Sequence, residues 1–361
     1  MAIETNRPYD TSRTGETGPA DAPGRPALNR ERLSMNVLVT GGAGYVGSFT
    51  VRLLGQSGHE VWVYDNLVYG HRSAVPEGRL IVGDLLDRAR VEATLLEHEI
   101  DAVVHFAAFA YVGESVTEPS KYYKNNVVGT LSLMDAMRAA GVSRIVFSST
   151  CATYGEPDEV PIREGTPQNP INPYGFTKLV IERALADYAH AYGWGFAALR
   201  YFNASGAAAD GTLGEDHDPE THLIPLILDV ALGRRESITI FGDQLPTPDG
   251  TCVRDYVHVE DLATAHLAAL ERLVPGVSLK LNLGTGRGYS VREVIETCRR
   301  VTGHPIPARV ADPRPGDPPS LVADPSLARK ELAWVPKYTT IDPIVETAWG
   351  WHKSHPEGYP D

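Results

Sequence analysis

Tyr174 and Lys178 stand four residues apart in the run NPYGFTKL. On a helix that spacing puts both side chains on one face, with Cβ atoms about 5 to 6 Å apart. A free phenol ionises near pH ~10, too high for a base at neutral pH. A neighbouring ammonium, together with a second positive charge from a bound cofactor ring, would stabilise the phenolate and lower that value, so the pair can act as a general base. The same spacing arises by chance on surface helices and carries no assignment alone. It gains weight from the strand before it, RIVFSST, which ends in Ser148, Ser149 and Thr150. Hydroxyls there would lie at the C-terminal edge of a sheet, where open α/β folds bind ligands.

The elements that would position this pair begin at VTGGAGYVGS. Gly41, Gly44 and Gly47 follow the apolar run NVLVT and open the helix-length segment Tyr45 to Gln56. A strand, a glycine turn and a helix make the first corner of a dinucleotide-binding fold, with the helix N-terminus offered to the pyrophosphate. The spacing is G-x-x-G-x-x-G rather than G-x-G-x-x-G. One strand later VWVYDN carries Asp65, suited to adenosine ribose hydroxyls, with no arginine directly after it to receive a 2′-phosphate. NAD is therefore favoured over NADP, although Arg72 lies several residues on. The next strand ends VGD, with Asp84 suited to the adenine amine. The one after it ends HFAAFA, where Phe106, Ala107 and Ala108 would let a cofactor lie against backbone.

From Met35 short β-branched runs (NVLVT, EVWVYD, RLIVGD, DAVVHFA, RIVFSST) alternate with helix-length segments such as Arg88 to His98 and Pro119 to Ala140. This pattern predicts an α/β, Rossmann-type doubly wound parallel sheet covered on both faces. The predicted nucleotide-binding domain spans 35–203. A smaller mixed domain follows over 204–361, and some of its segments, LKLNLGTG among the candidates, could cross back to the first. Residues 1–34 are rich in Pro, Gly, Thr and Arg and poor in apolar periodicity, which predicts a disordered tail or translation begun upstream of a true start at Met35. The tail lacks the apolar core of a signal peptide.

The formal net charge of −13 argues against a nucleic-acid or anionic-membrane partner. No run reaches the length of a membrane span. The cysteines Cys151, Cys252 and Cys298 are odd in number and far apart, which implies no disulfide framework or zinc site and points to a reducing cytoplasm. His105, His258 and His266 read as structural. No two histidines read as a metal pair beside a carboxylate cluster, so no metal is expected.

Longer phrases now join the two short motifs: TGGAGYVGS, HFAAFAYVGESV, NNVVGT, FSSTCATYG, LRYFNASGA, DGTCVRDYVHVEDLA and the terminal HPEGYPD. In this order, from Met35 to the last residue, they resemble the UDP-glucose 4-epimerase family of extended short-chain dehydrogenase/reductases. The resemblance implies a tightly held NAD that is regenerated each turnover. It implies Tyr174 as the base at the sugar 4-hydroxyl, Lys178 as the group that lowers the tyrosine pKa and holds the nicotinamide ribose, and Thr150 as hydrogen-bond partner of the 4-oxygen. Tyr45, Val46, Asn66, Leu85, Asn125, Ser148 and Phe202 would join the glycines, Asp65, Asp84 and Phe106–Ala108 around the cofactor. Phe241 would pack near the uracil, and Arg254 and Arg314 would neutralise the diphosphate. Asn203, His222, Leu223, Asp317 and Leu321 match other positions of the substrate pocket, with Leu321 near the sugar 2-position. A homodimer through the helices Pro119 to Ala140 and Pro173 to Tyr192 is also implied.

Departures from the pattern sharpen the expectation. Relatives that dehydrate their substrate place an Asp-Glu pair where this chain has Cys151-Ala152, so epimerisation is favoured over elimination. Ala110 replaces a common lysine and His222 a common asparagine. With STCATYG and THLIP, these leave UDP-xylose/UDP-arabinose open beside UDP-glucose/UDP-galactose. Another nucleotide-sugar-modifying activity and an inactive NAD-sensing regulator remain as alternatives.

Overall fold

The β-branched runs become strands β1 (Asn36–Thr40), β2 (Glu60–Asp65), β3 (Leu80–Val82), β4 (Ala102–His105), β5 (Arg144–Thr150) and β6 (Gly195–Tyr201). Further along lie β7 (Asn203–Ser205), β8 (Ile238–Phe241), β9 (Val253–His258), β10 (Ser278–Leu283), β11 (Gly288–Ser290), β12 (Ala308–Ala311) and β13 (Ser320–Leu321). The helices of the first half are α1 (Tyr45–Gln56), α2 (Arg88–Glu97), α3 (Val112–Thr117), α4 (Pro119–Tyr122), α5 (Gly129–Ala140) and α6 (Pro173–Tyr192). Those of the second are α7 (Leu223–Ala231), α8 (Val259–Arg272), α9 (Val291–Thr302), α10 (Ser326–Leu332) and α11 (Ile341–Ser354). This computed structural model describes residues 34–314 and 318–360. The segment 1–34 expected to be a tail lies outside the described residues except for Ser34, whose Oγ donates to Gly58 O at 2.8 Å.

Among the described residues a seven-stranded sheet runs in the order β10-β6-β5-β4-β1-β2-β3. Every pairing in it is parallel. Period-two alternation sends the side chains of each strand to opposite faces. Val37, Val39, Val63, Val104 and Val146 meet Leu262, Ala265 and Ala269 of α8 on one face. Leu38, Tyr64, Val103, Ile145 and Phe147 meet Leu133, Met137, Ile181 and Leu185 of α5 and α6 on the other. Both faces are covered by buried apolar side chains, which explains the near-continuous apolar strands. The chain winds one way from β1 through β3 and the other way from β4 through β6. A crevice therefore opens between the C-terminal ends of β1 and β4, the switch point where such sheets bind ligands.

Strand β10 is one of the two edge strands, parallel to β6. Elsewhere β9 pairs antiparallel with β11 and parallel with β13 and β7, while β8 and β12 pair with each other. Helices α7, α9 and α11 pack around these strands through Ile224, Ile227, Val294, Ile344 and Val345. The helix expected over Pro119 to Ala140 differs in one respect: Tyr123–Val128 is a π-helical turn between α4 and α5. The wider turn brings Asn126 inward, where it accepts from Phe109 N at 2.9 Å and donates to Thr177 Oγ1 at 3.2 Å. A π turn of this kind trades regular helix for an aimed side chain.

A buried ion pair joins the elements that carry the candidate chemistry. Glu182 on α6 receives Arg200 Nε at 2.9 Å and Nη2 at 2.6 Å from β6, and Ser149 Oγ at 2.6 Å from β5. The Arg200 and Glu182 side chains are 2% and 0% exposed. Bidentate geometry and further hydrogen bonds make such a pair tolerable in a core, and removing one partner strands the other. We expect Glu182→Ala to lose about 3–5 kcal/mol of unfolding free energy. Urea denaturation of the NAD-loaded protein checks this, and an unchanged midpoint would contradict it.

Candidate active site

The glycine corner sits at the switch point. Helix α1 starts from Gly44 with no side-chain cap and no acidic residue in its first turn, so no side chain competes for its leading N–H groups. A Cβ on Gly47 would stand 2.2 Å from Gly41 O, so only glycine lets the helix pack this closely on the turn. Asp65, at the end of β2, receives Ala43 N at 3.0 Å and Leu67 N at 2.9 Å. Those two bonds fix the carboxylate beside the glycine turn and leave it lone pairs for other donors. Burial raises its pKa, and the backbone N–H groups work against that. Asp84 is held by Leu86 N at 2.9 Å.

The sequence NPYG explains the start of α6. Asn172 caps the helix through Gly175 N at 2.8 Å, and Pro173 takes the first turn, where its missing donor costs nothing. A Cβ on Gly175 would be 2.5 Å from Ala152 O, so glycine there lets the helix approach the end of β5. That approach brings Tyr174 beside Thr150, whose hydroxyl is near enough to pull the phenol pKa down. One turn on, Lys178 donates from Nζ to Ser148 O at 2.8 Å and lies 5.9 Å from the centre of the Tyr174 ring.

The electrostatics differ from the reading of the spacing alone. Burial pushes the Tyr174 phenol well above its ordinary value, and the nearby Tyr201 adds to this, while the Thr150 hydrogen bond opposes it. Burial also pulls the Lys178 ammonium down to about 7. The pair by itself therefore does not make a phenolate at neutral pH. Desolvation of two groups outweighs their attraction, and a further positive charge beside the phenol is needed. Tyr201, absent from the sequence reading, pairs in register with Thr150 and shares a 2.6 Å hydrogen bond with Ser148 Oγ. Its signal was the register of two adjacent parallel strands, which sequence does not display.

These residues line one cavity of about 1530 Å³. Pockets for a single small ligand hold roughly 300–1,000 Å³, so this one suits two ligands side by side. All the expected cofactor and substrate residues line it except Lys178 and Ser148, which lie beneath its wall, and Asp317, which lies outside the described residues. At the far end Arg314 lies over the Phe241 ring at 3.9 Å. Leu321 packs with Cys151, Tyr154, Ile162 and Phe202, and Arg254 Nη1 donates to Val253 O at 2.8 Å. The uncapped α1 terminus, the close-packed glycines and the anchored Asp65 fit a dinucleotide.

One expectation needs correction. His217 and His222 do stand beside carboxylates, Glu215 and Glu220, all four on the cavity wall. The signal lay in GEDHDPETH, which reads as loop because its residues follow no helix or strand period. Burial draws both imidazole values down. Glu215 and Glu220 override it and raise His217 to about 9 and His222 to about 10. His105 and His258 are satisfied structural residues as expected, the first by Thr40 and Thr130, the second by Glu260 N and Thr347. His266 Nδ1 meets Leu262 O at 2.8 Å.

Sheet order, glycine corner and cavity together define a Rossmann-type, NAD-dependent enzyme. The sequence profile of the NAD dependent epimerase/dehydratase family matches residues 37–284, and the chain belongs to that family. It is 53% identical over 326 residues to a UDP-glucose 4-epimerase of Halalkalibacterium halodurans, covering 90% of this chain and 98% of that one. The crystal structure of the UDP-glucose 4-epimerase of Brucella ovis in complex with NAD is 54% identical, with a TM-score of 0.84 over 88% of this chain and 98% of that one. A second similar structure is that of the UDP-glucose-4-epimerase from Stenotrophomonas maltophila, with bound NAD and formylated UDP-arabinopyranose. It is 42% identical, with a TM-score of 0.86 over 89% of this chain and 99% of that one.

We expect Gly47→Ala to carry at least about tenfold less dinucleotide than the unmutated protein, because the new methyl must push the corner open. Acid release and absorbance at 260 nm on matched protein checks this.

Proposed function

We propose that this protein interconverts the C4 epimers of a UDP-sugar, UDP-glucose and UDP-galactose foremost, and so serves galactose metabolism. The observation that carries the reading is Tyr174, half-buried beside Thr150 and one helical turn from Lys178, on the wall of a cavity large enough for a dinucleotide and a nucleotide-sugar together. The named relatives act on UDP-glucose, which supports the same class here.

Gly41, Gly44, Gly47 and Asp65 would hold NAD with Asp84 and Asn125, all on the cavity wall. When bound, NAD supplies an acceptor and later donor of the sugar C4 hydride, and a positive charge beside the phenol. Tyr174 then holds the proton of the 4-hydroxyl and returns it, within reach of Thr150. Lys178, anchored on Ser148 O, sits where its charge steadies the phenolate. Arg254 and Arg314 would grip the diphosphate while the sugar turns over, and Phe241 would shelter the uracil. Cys151 and Ala152 offer no carboxylate beside Thr150, which favours epimerisation over water loss. In this reading residues 35–203 serve the cofactor, with α8 and β10 crossing back to their sheet, and the rest of 204–361 serves the UDP-sugar.

Tyr174→Phe should keep its NAD and lose epimerisation by at least about 10³-fold, since no other group replaces the phenolate. Chromatography of UDP-glucose and UDP-galactose after incubation without added NAD measures it. Near-normal turnover would refute the assignment. UDP-xylose and UDP-arabinose belong in the same assay.

Leu321 is 8% exposed and already packed, so an acetamide beside it must displace carbon, at a cost of roughly 1 to 3 kcal/mol. We expect a preference for UDP-glucose over UDP-N-acetylglucosamine of at least about tenfold in kcat/KM, narrowed by Leu321→Ser. Equal efficiency in the unmutated protein would show that Leu321 does not gate the sugar.

A homodimer through α4–α6 and the π turn accounts for apolar surface there: Tyr123, Val128 and Phe176 are 39%, 50% and 44% exposed. Light scattering should give twice the 39.2 kDa chain mass, and a monomer at micromolar concentration would refute it. No helix among the described residues is long and apolar enough to cross a membrane. Cys151, Cys252 and Cys298 are buried and in no disulfide, which supports a cytoplasmic setting.

A further inference from the structure

The loop between β7 and α7 carries Glu215, His217, Glu220 and His222, an E-x-H-x-x-E-x-H run eight residues long. It folds so that one ligand-type atom from each residue lies within 4.8 Å of all the others. His222 Nδ1 is 2.9 Å from Glu215 Oε1 and 2.9 Å from Glu220 Oε1. His217 Nδ1 is 3.4 Å from Glu215 Oε1 and 3.6 Å from Glu220 Oε2. The Glu215 and Glu220 side chains are 4% and 14% exposed.

Direct His–Glu hydrogen bonds explain only half of this arrangement. His222 has one, to Glu220. His217 Nδ1 is sealed from solvent and has no hydrogen-bond partner, although it faces both carboxylates. A buried ring nitrogen that faces two carboxylates without meeting hydrogen-bond geometry leaves a place for a further group among them. Four donors around a tetrahedral ion, with bonds of about 2.1 Å, stand roughly 3.4 Å from one another. The four His–Glu distances here, 2.9 to 3.6 Å, two of them to different oxygens of Glu220, lie around that separation, and one donor from each residue stands within 4.8 Å of the other three.

We propose that Glu215, His217, Glu220 and His222 form a binding site for one divalent transition-metal ion, with Zn²⁺ the best chemical match. Two imidazoles and two carboxylates suit zinc better than calcium or magnesium, which take oxygen ligands. All four ligands come from one short loop, so the ion would fix that loop as a unit. The loop is placed where this matters. The Tyr45 ring, at the start of α1, meets the His217 ring edge-on at 6.1 Å. His222 is the residue before α7, and its side chain makes no capping bond to that helix. Asp216, between two of the ligands, receives Tyr359 N at 2.9 Å and faces His71. The ion would thus hold together the cavity wall between the glycine corner and Leu223. With Nδ1 bound to metal, His222 keeps Nε2–H as a donor for other ligands.

The site does not depend on the epimerase reading and is tested without activity. The full-length, tag-free, NAD-loaded chain is purified from zinc-supplemented cells and its metals are measured by inductively coupled plasma mass spectrometry. We expect about one zinc per chain, and at least about fivefold less in His217→Gln. Should that variant fail to fold, chelator treatment of the unmutated chain gives the second reading. Its Tm should fall by at least about 5 °C and recover on adding zinc chloride, but not magnesium chloride. Less than about a tenth of an equivalent of any transition metal, with a Tm indifferent to zinc chloride, would overturn the proposal and leave a cluster held by protons. Zinc bound equally by the variant would also overturn it, since the ion would then sit elsewhere.

Discussion

The ion pair between Glu182 and Arg200 is the constraint on which the candidate chemistry rests. Tyr174, Lys178 and Glu182 follow one another at four-residue intervals and share one face of α6. Glu182 is the member of that row clamped to the sheet, by Arg200 of β6 and Ser149 of β5. Once its carboxylate is fixed, the rotation and height of the helix are fixed too. Lys178 then falls on Ser148 O and Tyr174 on Thr150. Arg200 also reaches Tyr154 OH at 2.8 Å, which in turn donates to Asn282 of β10 at 2.7 Å. A core polar network of this kind gives less net stability than apolar packing would, but it specifies one arrangement.

Around that clamp the parallel sheet does two jobs. Its apolar faces exclude water on both sides, and its reversal of winding between β1 and β4 leaves a crevice where backbone and hydroxyl groups end. Burial then sets the electrostatics. Tyr174 is held neutral and Lys178 is brought to about 7, so the site is poised for an added positive charge rather than active on its own. The reverse holds elsewhere on the cavity wall, where Glu215 and Glu220 raise the His217 and His222 values when no metal ion is bound. The same desolvation acts in both places. Whether an opposite charge lies within reach decides the sign.

Short periods and local chemistry made much of the molecule legible from its residues. The alternation of β-branched runs with helix-length segments determines a covered parallel sheet, because only that arrangement buries such strands on both faces. Gly47 and Asp65 mark a dinucleotide corner because a tight turn and a ribose carboxylate each demand one residue type. Asn172-Pro173 starts α6, and the Tyr174–Lys178 spacing assigns both residues to one face. Only the tertiary structure decided what those residues feel. Burial of Tyr174 and Lys178 depends on elements far along the chain, so the direction of their pKa shifts could not come from spacing. The contact of Tyr201 with Ser148 needs the register of β5 against β6. The convergence of Glu215, His217, Glu220 and His222 needs a loop with no period to fold back on itself. Periodicity reports which way a side chain points within its own element, whereas desolvation and convergence depend on which distant elements close over it.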